Sequence, residues 1–211
     1  MTEQTPTIFI IDDDPSARRG LSRLIRVAGF SVRAFASAQD FLASQHCKGP
    51  GCIVLDVQMP GLSGLDLQAE LNKTEYNMPI IFISAHGDVP MTAQAMKDGA
   101  LDFLTKPVDR DQLLNAIRGA LARDQAAREE HAELEQIRAR LARLTPREFE
   151  VMTFVLAGQL NKQIAYKLGI TEDTVKIHRG RMMTKIGVVS VAELVRLTQK
   201  AGVEPADPGR K

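Results

Sequence analysis

Four apolar runs in the first half of the chain each lead to a side chain able to do chemistry. Thr7-Ile-Phe-Ile-Ile11 stops at Asp12-Asp13-Asp14, and Gly51-Cys-Ile-Val-Leu55 stops at Asp56. Met78-Pro-Ile-Ile-Phe-Ile83 stops at Ser84, and Ala100-Leu-Asp-Phe-Leu104 runs to Lys106-Pro107. Short unbroken apolar runs are the pattern of strands buried on both faces of a parallel sheet. The carboxyl ends of such strands share one rim, where ligands bind. Carboxylates gathered there repel one another unless a cation lies among them, and an all-oxygen set suits Mg²⁺. Lys106 can ion-pair with Asp56 and later with a phosphoryl oxygen. A metal-held carboxylate without a basic partner suits nucleophilic attack on phosphorus, giving an aspartyl phosphate. Taken alone, Asp56 reads equally well as a cap before the Pro60-Gly61 turn; its neighbours on the rim decide the matter. Asp14, just before Pro15, reads as a helix N-cap.

The intervening segments must position these groups. Pro15 opens a helix with Leu21, Leu24, Ile25 and Ala28 at helical spacing, and Gly29 stops it. Ser31–Phe35 alternates as a strand, Ser37–Ser44 reads as a short helix, and further helices are expected over Ser63–Thr74 and Val89–Asp98. A long helix begins at Asp109. Strands alternating with helices predict a doubly wound α/β fold: five parallel strands with helices on both faces.

The chain has 211 residues, enough for two modest domains, with 44% hydrophobic and 25% charged residues, which excludes a disordered chain. No run approaches the ~18 apolar residues of a membrane span, and Met1–Thr5 does not resemble a signal peptide. A cytoplasmic protein with no membrane association is expected, with Cys47 and Cys52 as free thiols. The net charge of +1 divides into −3 over residues 1–120 and +4 over 121–211. That division favours a cation in front and a polyanion behind.

Residues 121–143 form a linker rich in strong helix formers. Leu134, Ile137, Leu141 and Leu144 step by 3, 4 and 3, which fits either a solvated extension of the preceding helix or a dimerisation stalk. Residues 144–203 then carry four short helices. Thr145, Pro146 and Glu148 make a capping box, Asn161 is expected to cap a second helix, and Thr171 caps a third that runs to about Ile186. Ser190 and Glu193 open the fourth. The short turn between the second and third makes a helix-turn-helix. Val175, Met182 and Ile186 face inward, so Lys176, Ile177, Arg179, Gly180, Arg181 and Thr184 face outward, where lysine and arginine reach bases or phosphates. His178 reads as a packed, hydrogen-bonded residue. Lys162 is either solvated or a phosphate contact at a helix start. Residues 204–211 are expected to be disordered.

Asp12-Asp13, Asp56, Ser84 and Lys106-Pro107, in this order at strand ends, resemble the receiver domain of two-component response regulators, a CheY-like fold over residues 1–120. The resemblance implies that Asp56 is the phosphoacceptor. It makes Asp13, Asp56 and the Gln58 carbonyl the Mg²⁺ ligands, with Asp12 assisting. Ser84 and Phe103 become a switch pair, although Phe103 by itself reads as core. Lys106 becomes the phosphate contact, joined to Pro107 by a cis peptide. His86 reads as an exposed loop residue, with a role in phosphate loss as the alternative. Leu144-Thr-x-Arg-Glu-x-Glu-Val151, Gly158-x-x-Asn-Lys-x-Ile-Ala165 and Thr174-Val-Lys-x-His178 are similar to the LuxR-type helix-turn-helix of NarL/FixJ regulators, nearest the FixJ and StyR types. This implies a recognition helix from Thr171 to Ile186, with Lys162, Thr171, Thr174, Lys176, Ile177, Arg179, Arg181 and Lys185 at double-stranded DNA. Gly180 departs from relatives that place a lysine there. The implied partners are a sensor histidine kinase, a second copy on phosphorylation, and RNA polymerase, since no Walker-type ATPase segment is present. Two rivals are a phosphatase, which would want an acid where Gln58 stands, and a DNA-binding protein with a vestigial receiver.

Overall fold

The computed structural model describes residues 5–44, 49–73, 78–85 and 89–207. Cys47, His86 and residues 208–211 of the tail lie outside them. The chain divides into two compact units, residues 1–128 and 129–211.

The front unit alternates β1 (Thr7–Ile11), α1 (Pro15–Val27), β2 (Ser31–Phe35), α2 (Ala38–Ala43), β3 (Gly51–Asp56), α3 (Gly64–Leu71), β4 (Ile80–Ser84), α4 (Val89–Lys97), β5 (Asp102–Thr105) and the first part of α5 (Arg110–Leu141). The strands pair in parallel in the order β2-β1-β3-β4-β5. The sheet separates two apolar cores. Phe9, Ile53, Leu55 and Phe82 face one, while Ile8, Ile10, Val54, Ile81 and Ile83 face the other. β3 and β4 are buried at every position, so their continuous apolar sequence is the chemistry of a central strand.

Boundaries differ modestly from the sequence reading. Ala100 and Leu101 precede β5, and α3 stops at Leu71. α5 runs through Gly119 without interruption. Cys52 is a free, buried thiol, pushed up to about 12 by its burial.

The second unit comprises the end of α5 with α6 (Pro146–Leu156), α7 (Asn161–Leu168), α8 (Glu172–Ile186) and α9 (Val191–Lys200), around Val151, Met152, Ile164, Val175, Met182, Ile186 and Leu194. Thr145 Oγ1 accepts from Glu148 N while Glu148 Oε2 accepts from Thr145 N, closing the expected capping box. Asn161 is the first helical residue of α7 rather than its cap. The capping position belongs to Leu160, whose N–H donates to Gln163 Oε1 at 2.8 Å. Gly169 ends α7 with φ +63°, a conformation that favours glycine and makes the turn into α8. Leu141 and Leu144 pack onto this unit's core and Ile137 is buried, so much of the heptad stripe is covered within the chain itself. Within the described part of the tail, Ala206 N donates to Thr153 O at 3.0 Å.

Candidate functional site

Sheet register brings the rim residues together. Ile11 pairs with Leu55, so Asp12 and Asp56 follow side by side. Asp56 pairs with Ile83, and Ser84 with Thr105, which places Ser84 and Lys106 one step further along. Lys106 Nζ lies 2.6 Å from Asp56 Oδ2 and 3.0 Å from Asp12 Oδ2. The remaining oxygens are also oriented: Asp14 N donates to Asp12 Oδ1 at 2.8 Å, and Gln58 N donates to Asp56 Oδ1 at 3.2 Å. Asp14 caps α1 through Ser16 N, as its place before Pro15 implies.

Asp12 and Asp56 are buried while Asp13 is exposed, and carboxylate oxygens of the three lie within 4.8 Å of one another. Among the described residues, Lys106 pairs with two of the three acids and the Arg18 guanidinium reaches the Asp12 backbone carbonyl, so the carboxylates stay in excess. Hard oxygen donors in that surplus fit a Mg²⁺-type ion. Burial pushes the Asp12 carboxyl above its ordinary value, against the pull of Lys106 and the Asp14 N–H. Burial also pulls on the Lys106 ammonium, but the carboxylates of Asp56 and Asp12 outweigh it and hold that group above its ordinary value.

Ser84 is fully buried, and its carbonyl accepts from Lys106 N at 2.8 Å. Phe103 is half-buried, with its ring 6.2 Å from that of Phe82. The Lys106-Pro107 peptide is cis. Gly64, absent from the sequence reading, also shapes the rim. A Cβ there would stand 2.3 Å from the Asp56 carbonyl oxygen, so α3 can begin against the phosphoacceptor candidate's backbone only with glycine.

The outer face of α8 is more engaged than its sequence suggests. Lys176 and Arg181 are exposed, and Ile177 keeps 52% of its surface open. Thr171 Oγ1 caps Thr174 N at 3.2 Å and lies 2.8 Å from Thr174 Oγ1. Arg179 donates to Asn161 Oδ1 at 2.7 Å, which joins α8 to α7. The Lys185 ammonium lies 2.6 Å from Glu148 Oε2, with 32% of its side chain still exposed. With Lys185 as the main cause, and Thr145 N–H assisting, the Glu148 carboxyl is held at about 2. His178 is packed as expected, but its buried Nδ1 has no hydrogen-bond partner among the described residues. Lys162 is exposed at the start of α7.

A doubly wound sheet with a carboxylate-lysine rim, followed by a helix-turn-helix unit, defines a phosphorylation-controlled DNA-binding architecture. Residues 8–118 match the response regulator receiver domain, and residues 142–198 match the bacterial regulatory proteins of the luxR family. The chain is 45% identical over 196 residues to Nodulation protein W of Bradyrhizobium diazoefficiens, covering 93% of this chain and 86% of that one. It is 43% identical over 208 residues to the transcriptional regulatory protein FixJ of Azorhizobium caulinodans, covering 98% of each. The solved structure of the response regulator StyR superposes with a TM-score of 0.84 at 45% identity, covering 93% of this chain and all of that one. The chain belongs to the response regulator family, in its branch of transcriptional regulators with a LuxR-type helix-turn-helix. Among the described residues, no helix is long and apolar enough to cross a membrane.

Proposed function

We propose that Asp56 accepts a phosphoryl group from the phosphohistidine of a sensor kinase. An Asp56 carboxylate oxygen forms the new P–O bond as the P–N bond breaks, and the imidazole nitrogen keeps the electron pair. The observation that supports this is the pinned carboxylate: Asp56 Oδ2 is held by Lys106 and Oδ1 by Gln58 N, within a buried acidic rim. Asp12, Asp13, Asp56 and the Gln58 carbonyl would hold Mg²⁺, which would neutralise charge on the transferring group when bound. Lys106 then turns from carboxylate to phosphoryl oxygen. Ser84 follows toward the same oxygen, and Phe103 fills the space behind it.

The receiver of one copy pairs with that of a second, and the two output units meet a two-fold DNA site. Linking two weak contacts raises affinity because the second half-site is met at high local concentration. Lys162, Thr171, Thr174, Lys176, Ile177, Arg179 and Arg181 supply the contacts, with Lys176 and Ile177 at base edges. The bound protein acts on RNA polymerase in the cytoplasm. Gln58 stands where a phosphatase would need its second acid, so a stored phosphoryl group is favoured over turnover.

Acetyl phosphate with Mg²⁺, followed by gel filtration and DNA binding, tests this reading in wild type and Asp56→Asn. Wild type should gain phosphoryl mass, dimerise and bind DNA more tightly, and the variant should do none of these. Equal binding by both proteins under every condition rejects it.

A further inference from the structure

A second carboxylate, far along the chain from the rim, grips the opposite end of the strand that carries Asp56. Strand N–H groups two residues apart point the same way. Ile53 N donates to Pro79 O at 2.9 Å, so Gly51 N faces the β4 side as well. The pairing of β3 with β4 begins only at Ile53 and Ile80, which leaves Gly51 N beyond the ladder. Asp124 of α5 supplies the acceptor: its Oδ2 lies 3.0 Å from Gly51 N, and the side chain is 2% exposed. Arg128, one helical turn later, donates from Nε to the same oxygen at 2.8 Å and from its terminal nitrogen to Gly49 O. Gly51 permits nothing bulkier, because a Cβ would stand 2.2 Å from Thr7 O.

The apolar anchorage of α5 on the sheet comprises Leu113, Ala116, Ile117, Ala120 and Leu121. From Ala122 to Arg128 the grip is polar. A buried carboxylate-guanidinium pair is a poor source of net stability, since apolar residues of similar volume serve as well. Its directed bonds instead fix a position. We propose that Asp124 and Arg128 are positioning residues that set where α5 leaves the receiver, at residue 128 rather than 121. Holding α5 to the start of the strand that ends in Asp56 is what couples phosphorylation to DNA binding. This coupling role rests on the phospho-switch reading above, whereas the latch itself does not.

The test uses the full-length chain and the variants Asp124→Asn, Arg128→Met and Arg128→Lys. Three quantities are measured: amide hydrogen exchange over 121–128, phosphoryl incorporation at Asp56 from acetyl phosphate, and the ratio of DNA affinities with and without acetyl phosphate. The DNA probe is a labelled duplex that wild type selects from a random pool. Asp124→Asn and Arg128→Met should take up phosphoryl as wild type does, exchange residues 121–128 about tenfold faster, and bring the affinity ratio close to one. Arg128→Lys should recover part of the ratio. Unchanged exchange in the variants overturns the latch. Faster exchange with an undiminished ratio overturns the coupling role. A wild-type ratio of one rejects the coupling role together with the phospho-switch, while exchange still judges the latch.

Discussion

Lys106 is the residue on which the rim's electrostatics turn, because its ammonium pairs with oxygens of both Asp12 and Asp56. Lys106→Met should leave two buried carboxylates facing each other, pushing the Asp12 carboxyl further above its ordinary value and slowing phosphoryl incorporation. Acid-base titration of the isotopically labelled carboxyl carbons checks the first effect, and mass spectrometry after acetyl phosphate checks the second. Glu148 gives the clearest dependence on pH. Its carboxyl lies at about 2, below the ordinary 4.5, so its stabilising effect is complete above 4.5 and lost as the pH falls through about 2. The unfolding midpoint of the second unit should therefore drop across that interval. Glu148→Gln should flatten the dependence when monitored by circular dichroism. Lys185→Met strands the buried Glu148 carboxylate and should cost about 2 kcal/mol in urea unfolding.

Among the elements, helix starts were readable and side-chain partners were not. Thr145, Thr171 and Ser190 each cap the helix that follows them, a signal contained in three or four adjacent residues. The alternation of strands and helices and the groups on the rim were also legible, because four apolar runs each ended on a chemical group. Asp124 was not, since an acid in a polar helical stretch reads as solvated until the position of Gly51 is known. Asn161 was placed one position early in its helix, since the cap falls on Leu160, and the pairs Asn161–Arg179 and Glu148–Lys185 were illegible because their members stand 18 and 37 residues apart. Gly180 stands mid-helix with nothing within 4 Å of an added Cβ. Gly180→Ala should raise the stability of α8's unit by about 0.5–1 kcal/mol, measurable by thermal unfolding. Gly64→Ala should instead displace the Asp56 backbone and lower phosphoryl incorporation while the output unit's melting stays unchanged.

For the whole molecule, the division at residue 128 gives each unit its own core. The end of α5 packs on the second core through Leu141, with Leu144 following in the turn, and an exposed Glu133–Lys200 ion pair at 2.7 Å ties it to α9. A fragment of residues 129–211 should therefore resist urea better than one of residues 144–211, by about 2 kcal/mol from the burial of Ile137 and Leu141. The longer fragment should bind DNA with no response to acetyl phosphate.

The pairing of the Lys185 charge with buried Glu148 reaches as far as the ionic atmosphere of the double helix. A cation that stays paired with a carboxylate of its own chain displaces no counterion from the phosphates, so it adds nothing to the salt sensitivity of association. Each copy should thus show a log-log slope shallower by about 0.9 than a tally of α8's basic residues would suggest.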